Sequence, residues 1–422
     1  MFRAIAARDG GCRYPGCDRP VRFCDAHHIR HWRHGGNTDH DNLVLLCSRH
    51  RHHVHKERLQ LKLLPDATVD ITWPDGTPNE PANHAADHQP PAPPDTGQQQ
   101  RTSPSCLSRA VPARLADSSV AVMSGFDEGC AWIRGEFVPV AEATISVLDA
   151  GFSRSDVTYD VVGVWDGAFF RLDDHLDRFE QSWHKLKMNP PIDKAAMREI
   201  LIGCVARSGL REAYVEMIVT RGVPRGGSRD PRTYENRFYA YAIPYVWIIR
   251  PDDQLVGTHL VVSQTTQRIP ANSVDPTVKN FHWGDLSRGL FEAYERGAVT
   301  AVLPDADGNI TEGPGFNVFA RVDGTFVTPS SGVLEGITRR TVLELAADLG
   351  IPARLGTLAA ADLHRADEIF LTSTAGGVMP VATVDDRPVG SGEPGPRTMQ
   401  LRNAYWDAHR DPRYATPVSY DR

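Results

Sequence analysis

What the 422-residue chain lacks narrows it first. No apolar run approaches the ~18 residues of a membrane-crossing helix, which excludes an integral helical membrane protein. The opening residues, MFRAIAARDGGC, hold no apolar stretch of signal-peptide length, so the expected location is the cytoplasm. Seven cysteines are too few for a disulfide scaffold. Basic charge is scarce over the chain as a whole. A net charge of −7 argues against a protein that coats nucleic acid along its length. What is present, 41% hydrophobic and 23% charged residues, is ordinary globular composition with length for two to three domains.

These averages conceal a division. Residues 1–64 carry 12 Lys and Arg against 6 Asp and Glu, a balance of +6 that leaves −13 for the remainder. Nine of the 17 histidines fall in the first 55 residues, with four of the seven cysteines. A basic, His/Cys-rich head therefore precedes an acidic body. Residues 74–112 hold nine prolines and the triplet Gln98–Gln100, with few large apolar side chains. Such a stretch cannot offset its chain entropy by burial, so 66–119 is expected to be a linker, the head 1–65 and the body 120–422.

In the head, Cys12 and Cys17 are followed about thirty residues later by Cys47 and His50. Two short pairs of soft ligands at that separation fit a closed, tetrahedral structural zinc site, with Cys24 as a spare. Between them runs CDAHHIRHWRHGGNTDHDNLVLLCSRHRHHVH. This stretch resembles the ββα-metal motif of HNH endonucleases over roughly residues 8–56. The resemblance implies that His28 is the general base activating water, that His27 is a ligand of a further divalent catalytic metal, and that Asn42 orients the base loop. The family has a second His after the zinc-binding one, where this chain has Arg51. His52, His53 and His55 are alternative ligands out of register. The larger helical domain that precedes the motif in that family is expected to be missing, as the chain starts eleven residues before Cys12. Two expectations follow: a module that binds or cuts DNA through residues 1–64, or the remnant of a fusion, with Met123 as an alternative start.

The body reads as an α+β unit of short strands, hairpins and amphipathic helices. Asp307-Gly308 and Asp323-Gly324 lie between apolar runs and predict hairpin turns. Leu172, Leu176, Phe179, Trp183 and Leu186 recur at helical spacing, with Asp173 or Asp174 as the expected cap. Val342, Leu345, Ala346 and Leu349 predict a second helical face closed by Gly350.

Five ordered segments narrow the body further: VTYDVVGVWDGAFFRLDDHLDRF, DPTVKNFHWGDL, NITEGPGFN, LEGITRR and EIFLTSTAGGVMP. Together they resemble the fold-type IV (class IV) pyridoxal-phosphate aminotransferases over about 128–420, and the first two, with AYVEMIVTRG and PYVWI, look closest to the (R)-selective amine transaminases. The resemblance implies a two-domain body, with a small subdomain over about 128–245 and a large one over about 246–420. It implies pyridoxal 5′-phosphate held as a Schiff base on Lys279, which also moves the proton during transfer. Glu312 would pair with the pyridine nitrogen. Arg178, Ile337, Thr338, Ser373 and Thr374 would hold the phosphate, the two residues at 337–338 from a helix start. Tyr159, Val161, Tyr214, Glu216 and Trp283 fall on pocket positions, where one large and one small pocket would sort the substituents of the amine. Arg225 matches a loop Arg that meets a keto-acid carboxylate, and Arg154 adds a cation at the pocket entry. The implied reaction moves an amino group between an (R)-amine or amino acid and a keto acid such as pyruvate, in a homodimer whose sites are completed by the partner's loops. A D-amino-acid or branched-chain aminotransferase is the alternative.

Overall fold

The computed structural model describes residues 128–420 without a break. Of the first 77 it describes 2–17, 19–21, 24–30, 37, 39–47, 50, 51, 53, 54, 59–64, 68–73, 75 and 77. The chain divides into two compact units, Met1–Ala110 and Val111–Arg422.

In the head, helix α1 (Phe2–Asp9) leads to the antiparallel hairpin β1 (Cys24–His28) and β2 (Leu43–Cys47). β2 is buried along its whole length and supplies most of the core with Ile5, Val54 and Leu59. Residues 50, 51, 53 and 54 are helical, which gives the strand–strand–helix order expected of the motif. A second hairpin, β3 (Gln60–Leu63) with β4 (Val69–Thr72), carries pairing past residue 65 into the span read as linker. The head therefore ends later than expected. Most of the remaining linker span, with Met123, lies outside the described residues.

The body opens with a seven-stranded sheet in the order β20-β8-β7-β9-β10-β5-β6. Its strands are β5 (Cys130–Ile133), β6 (Glu136–Pro139), β7 (Val157–Trp165), β8 (Ala168–Phe170), β9 (Ala213–Pro224), β10 (Tyr234–Pro244) and β20 (Ala415–Pro417). Helices α2 (Leu172–Lys185) and α3 (Lys194–Ser208) cover it, packing Phe179, Trp183, Met197 and Leu201 onto Val162, Val215 and Met217. Because β20 pairs with β8, the chain returns to the small sheet at its end. The large subdomain thus stops short of the expected residue 420.

The α2 span matches the helical spacing, but its start differs from expectation. The N-cap is Arg171 in a left-handed conformation, with no side-chain cap bond. Arg171 reaches across to Thr341 and Glu344, and Asp174 is taken up by Arg171 and Arg340 instead of capping.

The large subdomain is a nine-stranded mixed sheet, order β12-β11-β18-β17-β14-β15-β16, with β13 and β19 paired beside it. Its strands are β11 (Thr258–Val262), β12 (Thr300–Val302), β13 (Glu312–Gly313), β14 (Phe316–Val322), β15 (Thr325–Pro329), β16 (Ala353–Gly356), β17 (Glu368–Ser373), β18 (Gly377–Val384) and β19 (Arg387–Pro388). Helices α4 (Gly284–Glu295), α5 (Ile337–Asp348) and α6 (Pro396–Ala408) flank it. Asp323 and Gly324 both take positive φ, 51° and 78°, and join β14 to β15 in the two-residue turn that hairpin twist favours. Phe319 and Phe370 stack at 4.7 Å, fully buried.

Candidate functional site

The strands and helices of the body converge on a cavity of about 370 Å³. Lys279, Glu312, Arg178, Ile337, Thr338, Ser373 and Thr374, scattered over almost 200 residues of sequence, all line it. So do Tyr159, Val161, Tyr214 and Trp283.

Lys279 sits in the loop before α4. Its carbonyl accepts from Tyr159 N at 3.1 Å and Thr158 Oγ1 at 2.7 Å, which ties that loop to β7. Its Nζ lies 4.5 Å over the Tyr159 ring. Glu312, on the short strand β13, is buried at 6% exposure. Its Oε1 accepts from Arg268 Nε at 3.2 Å and Nη2 at 3.1 Å, and its Oε2 from Leu334 N at 2.9 Å. Arg268 in turn donates Nη1 to Asp285 at 2.7 Å. Burial pushes the Glu312 carboxyl above its usual range. Arg268, the Leu334 amide and Lys279 pull against that push by favouring the anion.

The phosphate-type donors cluster in the same cavity. Helix α5 begins at Ile337 with no side-chain cap at Gly336, so its first amides are left to a ligand. A Cβ at Gly336 would meet Asn317 Oδ1 at 2.2 Å, so a larger residue there would displace the Asn317 side chain. Arg178 projects from α2 and donates Nη1 to Glu335 O at 3.1 Å, just before that helix. Thr374 follows β17, and its carbonyl accepts from the Tyr245 hydroxyl. The Ser373 hydroxyl is already committed: it donates to Gly315 O at 2.8 Å and accepts from Ala375 N at 3.1 Å. Ser373 thus ties the loop, and its hydroxyl is not the free donor expected of it.

A second cavity of about 360 Å³ shares Tyr159, Tyr214 and Trp283 with the first and adds Glu216 and Phe281. Glu216 is buried and accepts from Tyr241 at 2.8 Å and Tyr214 at 3.3 Å. Burial raises both Glu216 and Tyr214 above their ordinary values. Trp283 Nε1 donates to the Tyr159 hydroxyl at 3.2 Å, fixing the wall between the cavities.

Two predicted pocket residues line neither of these cavities. Arg154 donates to the Tyr234 hydroxyl at 2.9 Å on the surface. Arg225 is ion-paired with Glu235 and faces a separate groove with Arg221, Arg232 and Arg237. Residues that sequence reading passed over are Arg268 with Asp285, and Asp160. Asp160 carried a signal, being the one charge in the otherwise uncharged strand VTYDVVGVW.

The donor set suits a phosphorylated pyridine aldehyde: an amine for the aldehyde, a buried carboxylate for the ring nitrogen, and an arginine with uncapped helix amides for the phosphate.

In the head, the ligand atoms of Cys12, Cys17, Cys47 and His50 all lie within 4.8 Å of one another. His50 Nδ1 is 3.5 Å from Cys12 Sγ and 3.4 Å from Cys47 Sγ. Burial pushes the Cys12 thiol up to about 12, so a thiolate there needs a cation. Three thiols and an imidazole converging so closely fit tetrahedral zinc. His27 is buried and stands outside this cluster, and His28 follows it on β1, so their side chains leave opposite faces. Asn42 clamps the loop after His28, accepting from Arg30 N at 2.8 Å and donating to Arg30 O at 2.9 Å and Asn37 O at 2.7 Å. Arg51 pairs with Asp25 at 3.1 Å. His52 and His55 lie outside the described residues.

Residues 158–384 match the model for amino-transferase class IV, and residues 12–57 match that for HNH endonuclease. The chain is 30% identical over 287 residues to a branched-chain-amino-acid aminotransferase of Pseudomonas aeruginosa, covering 66% of this chain and 92% of that protein. It is 27% identical to a D-alanine aminotransferase of Listeria monocytogenes, covering 65% and 93%. Among solved structures, the branched-chain amino acid aminotransferase from Thermobaculum terrenum in its PLP-bound holo form superposes with a TM-score of 0.63 at 27% identity. That match covers 70% of this chain and 100% of the other.

Proposed function

The chain belongs to the class IV aminotransferase family, and from that premise we propose that it moves an amino group between an (R)-amine or amino acid and a keto acid such as pyruvate. When bound, pyridoxal 5′-phosphate supplies the aldehyde that takes up the amino group and the ring that stores the released electron pair. Lys279 holds the aldehyde and carries the proton at the substrate carbon. Glu312, whose anion Arg268 favours against burial, would hold a proton on the ring nitrogen. Arg178, the first amides of α5 and the loop at Ser373 and Thr374 bind the phosphate. Tyr159, Val161, Tyr214, Glu216 and Trp283 shape the space for the substrate.

The observation that carries the amine preference is the charge of the wall. Arg178 and Arg268 line the cavity but are engaged by Asp160 and Glu312, and Tyr159, Val161, Tyr214 and Trp283 are uncharged. A neutral substituent on the amine carbon suits such a wall better than a carboxylate does. Keto acids are met by Arg225 and Arg154, which act at the pocket of a second copy. That copy covers the apolar strip Ile145, Val147, Leu148 and Phe152, each 45% exposed or more. The working form in this reading is a homodimer in the cytoplasm. Among the described residues no helix is long and apolar enough to cross a membrane.

The test is spectroscopic and kinetic. The purified protein is expected to show an absorption band near roughly 410 nm that borohydride removes, and Lys279→Ala is expected to abolish band and turnover. (R)-1-phenylethylamine is expected to outperform D-alanine and L-leucine as donor. Activity with L-leucine alone would sink the amine assignment in favour of a branched-chain one.

For the head we propose a structural zinc at Cys12, Cys17, Cys47 and His50 and contact with DNA without efficient cleavage. Asp25 and His27 share one face of β1, and the Arg51 guanidinium paired to Asp25 disfavours a further divalent metal beside His27. Salt-dependent DNA binding by the full chain is expected. Metal-dependent nicking that His28→Ala removes would overturn the claim of weak cleavage.

A further inference from the structure

Asp160 lies at the centre of β7 and is fully buried, yet it faces neither cavity; its neighbours Tyr159 and Val161 do. A buried carboxylate is costly unless its oxygens are filled. Here Oδ1 accepts from Arg178 Nη2 at 2.8 Å, His175 Nδ1 at 2.8 Å and Val161 N at 2.7 Å, and Oδ2 accepts from Arg178 Nε at 2.7 Å. Arg178 is therefore gripped along one edge of its guanidinium, and Nη1, bonded to Glu335 O, is the nitrogen outside that grip.

We propose that Asp160 is the positioning residue of the phosphate subsite: with His175 as its second donor, it locks Arg178 into the one orientation that meets a phosphate beside the first turn of α5. The inference rests on the pyridoxal-phosphate reading above and adds to it a residue that never touches the cofactor. A free arginine side chain samples many rotamers, and a fork held in advance loses less freedom on binding. Burial keeps His175 toward its neutral form, so it orients the carboxylate without adding charge. Because Asp160 compensates the Arg178 charge, the clamp supplies geometry more than attraction. His175 also lines a small cavity of about 10 Å³ together with Thr338 and Thr374.

The experiment titrates the cofactor-stripped full chain with pyridoxal phosphate and with pyridoxal, which lacks the phosphate. Wild type, Asp160→Asn and Asp160→Ala are compared, each also in an Arg178→Ala background, with thermal unfolding alongside. Asp160→Asn preserves volume and serves if the alanine variant misfolds. Expected is a loss of roughly tenfold or more in affinity for pyridoxal phosphate, the scale of one charge-assisted bond, with pyridoxal affinity nearly unchanged. In the Arg178→Ala background the same substitution is expected to cost little. Equal losses for both ligands, or an undiminished loss without Arg178, would show a merely structural role and overturn the proposal. So would wild-type affinity in Asp160→Asn. Failure of the wild type to bind pyridoxal phosphate at all would instead overturn the parent reading.

Discussion

The head and the body bury their interiors by different means. Among the described residues the buried core of the head is small. It is a few aliphatic side chains around β2, with four soft donors converging beside it. The body encloses Phe169, Phe179, Phe319, Phe326 and Phe370 completely. A small module with little apolar volume depends on one bonding centre for its fold. A large one carries its active site as an addition to a core that stands without it. Loss of the bound group should therefore unfold the first and merely silence the second.

The largest expected effect tests that contrast directly. Removing the proposed zinc from the full chain should cost the head on the order of 10 kcal/mol, seen as loss of hydrogen-exchange protection over Leu43–Cys47. Transamination should be unchanged. Persistent protection without metal would erase the distinction. Next, Phe370→Ala removes one ring of the stacked Phe319–Phe370 pair and should lower the body's unfolding free energy by about 3–5 kcal/mol in denaturant titration, without altering protection of the head.

The smallest effect concerns the body's own active site. Burial raises the folded-state carboxyl of Glu216 above its unfolded value. The folded state then binds more protons, so this group lowers stability as pH rises from the unfolded pKa through the folded one. Glu216→Gln, still able to accept from Tyr241, should stabilise the body by on the order of 1 kcal/mol at neutral pH. The gain should shrink toward pH 4. A gain that grows with acidity would contradict the assignment.

Much of the site could be read from the chain because its residues sit in short, contiguous runs. GIT marks a helix start, and STAGG marks a loop leaving a strand. Lys279 and Glu312 share one cavity as those runs implied. What escaped was set by tertiary structure. Arg268 sits in a loop with no local pattern, and only folding brings it to Glu312 and Asp285. Asp160 was legible as a lone charge in a buried strand, but its meaning required seeing Arg178 and His175 arrive from α2. The start of α2 failed for a similar reason: Arg171 serves distant partners, and that overrides local capping. The end of the chain returning as β20 leaves no mark in local composition.

The two bonds from Tyr159 and Thr158 to the Lys279 carbonyl have one more consequence. They staple the main chain of Lys279, which follows the large sheet's β11, to a strand of the small sheet. The halves of the body cannot swing apart without breaking these bonds or displacing Lys279. Access to the cavity is then left to side chains and loops at its rim, since clamshell opening would move Lys279 away from β7.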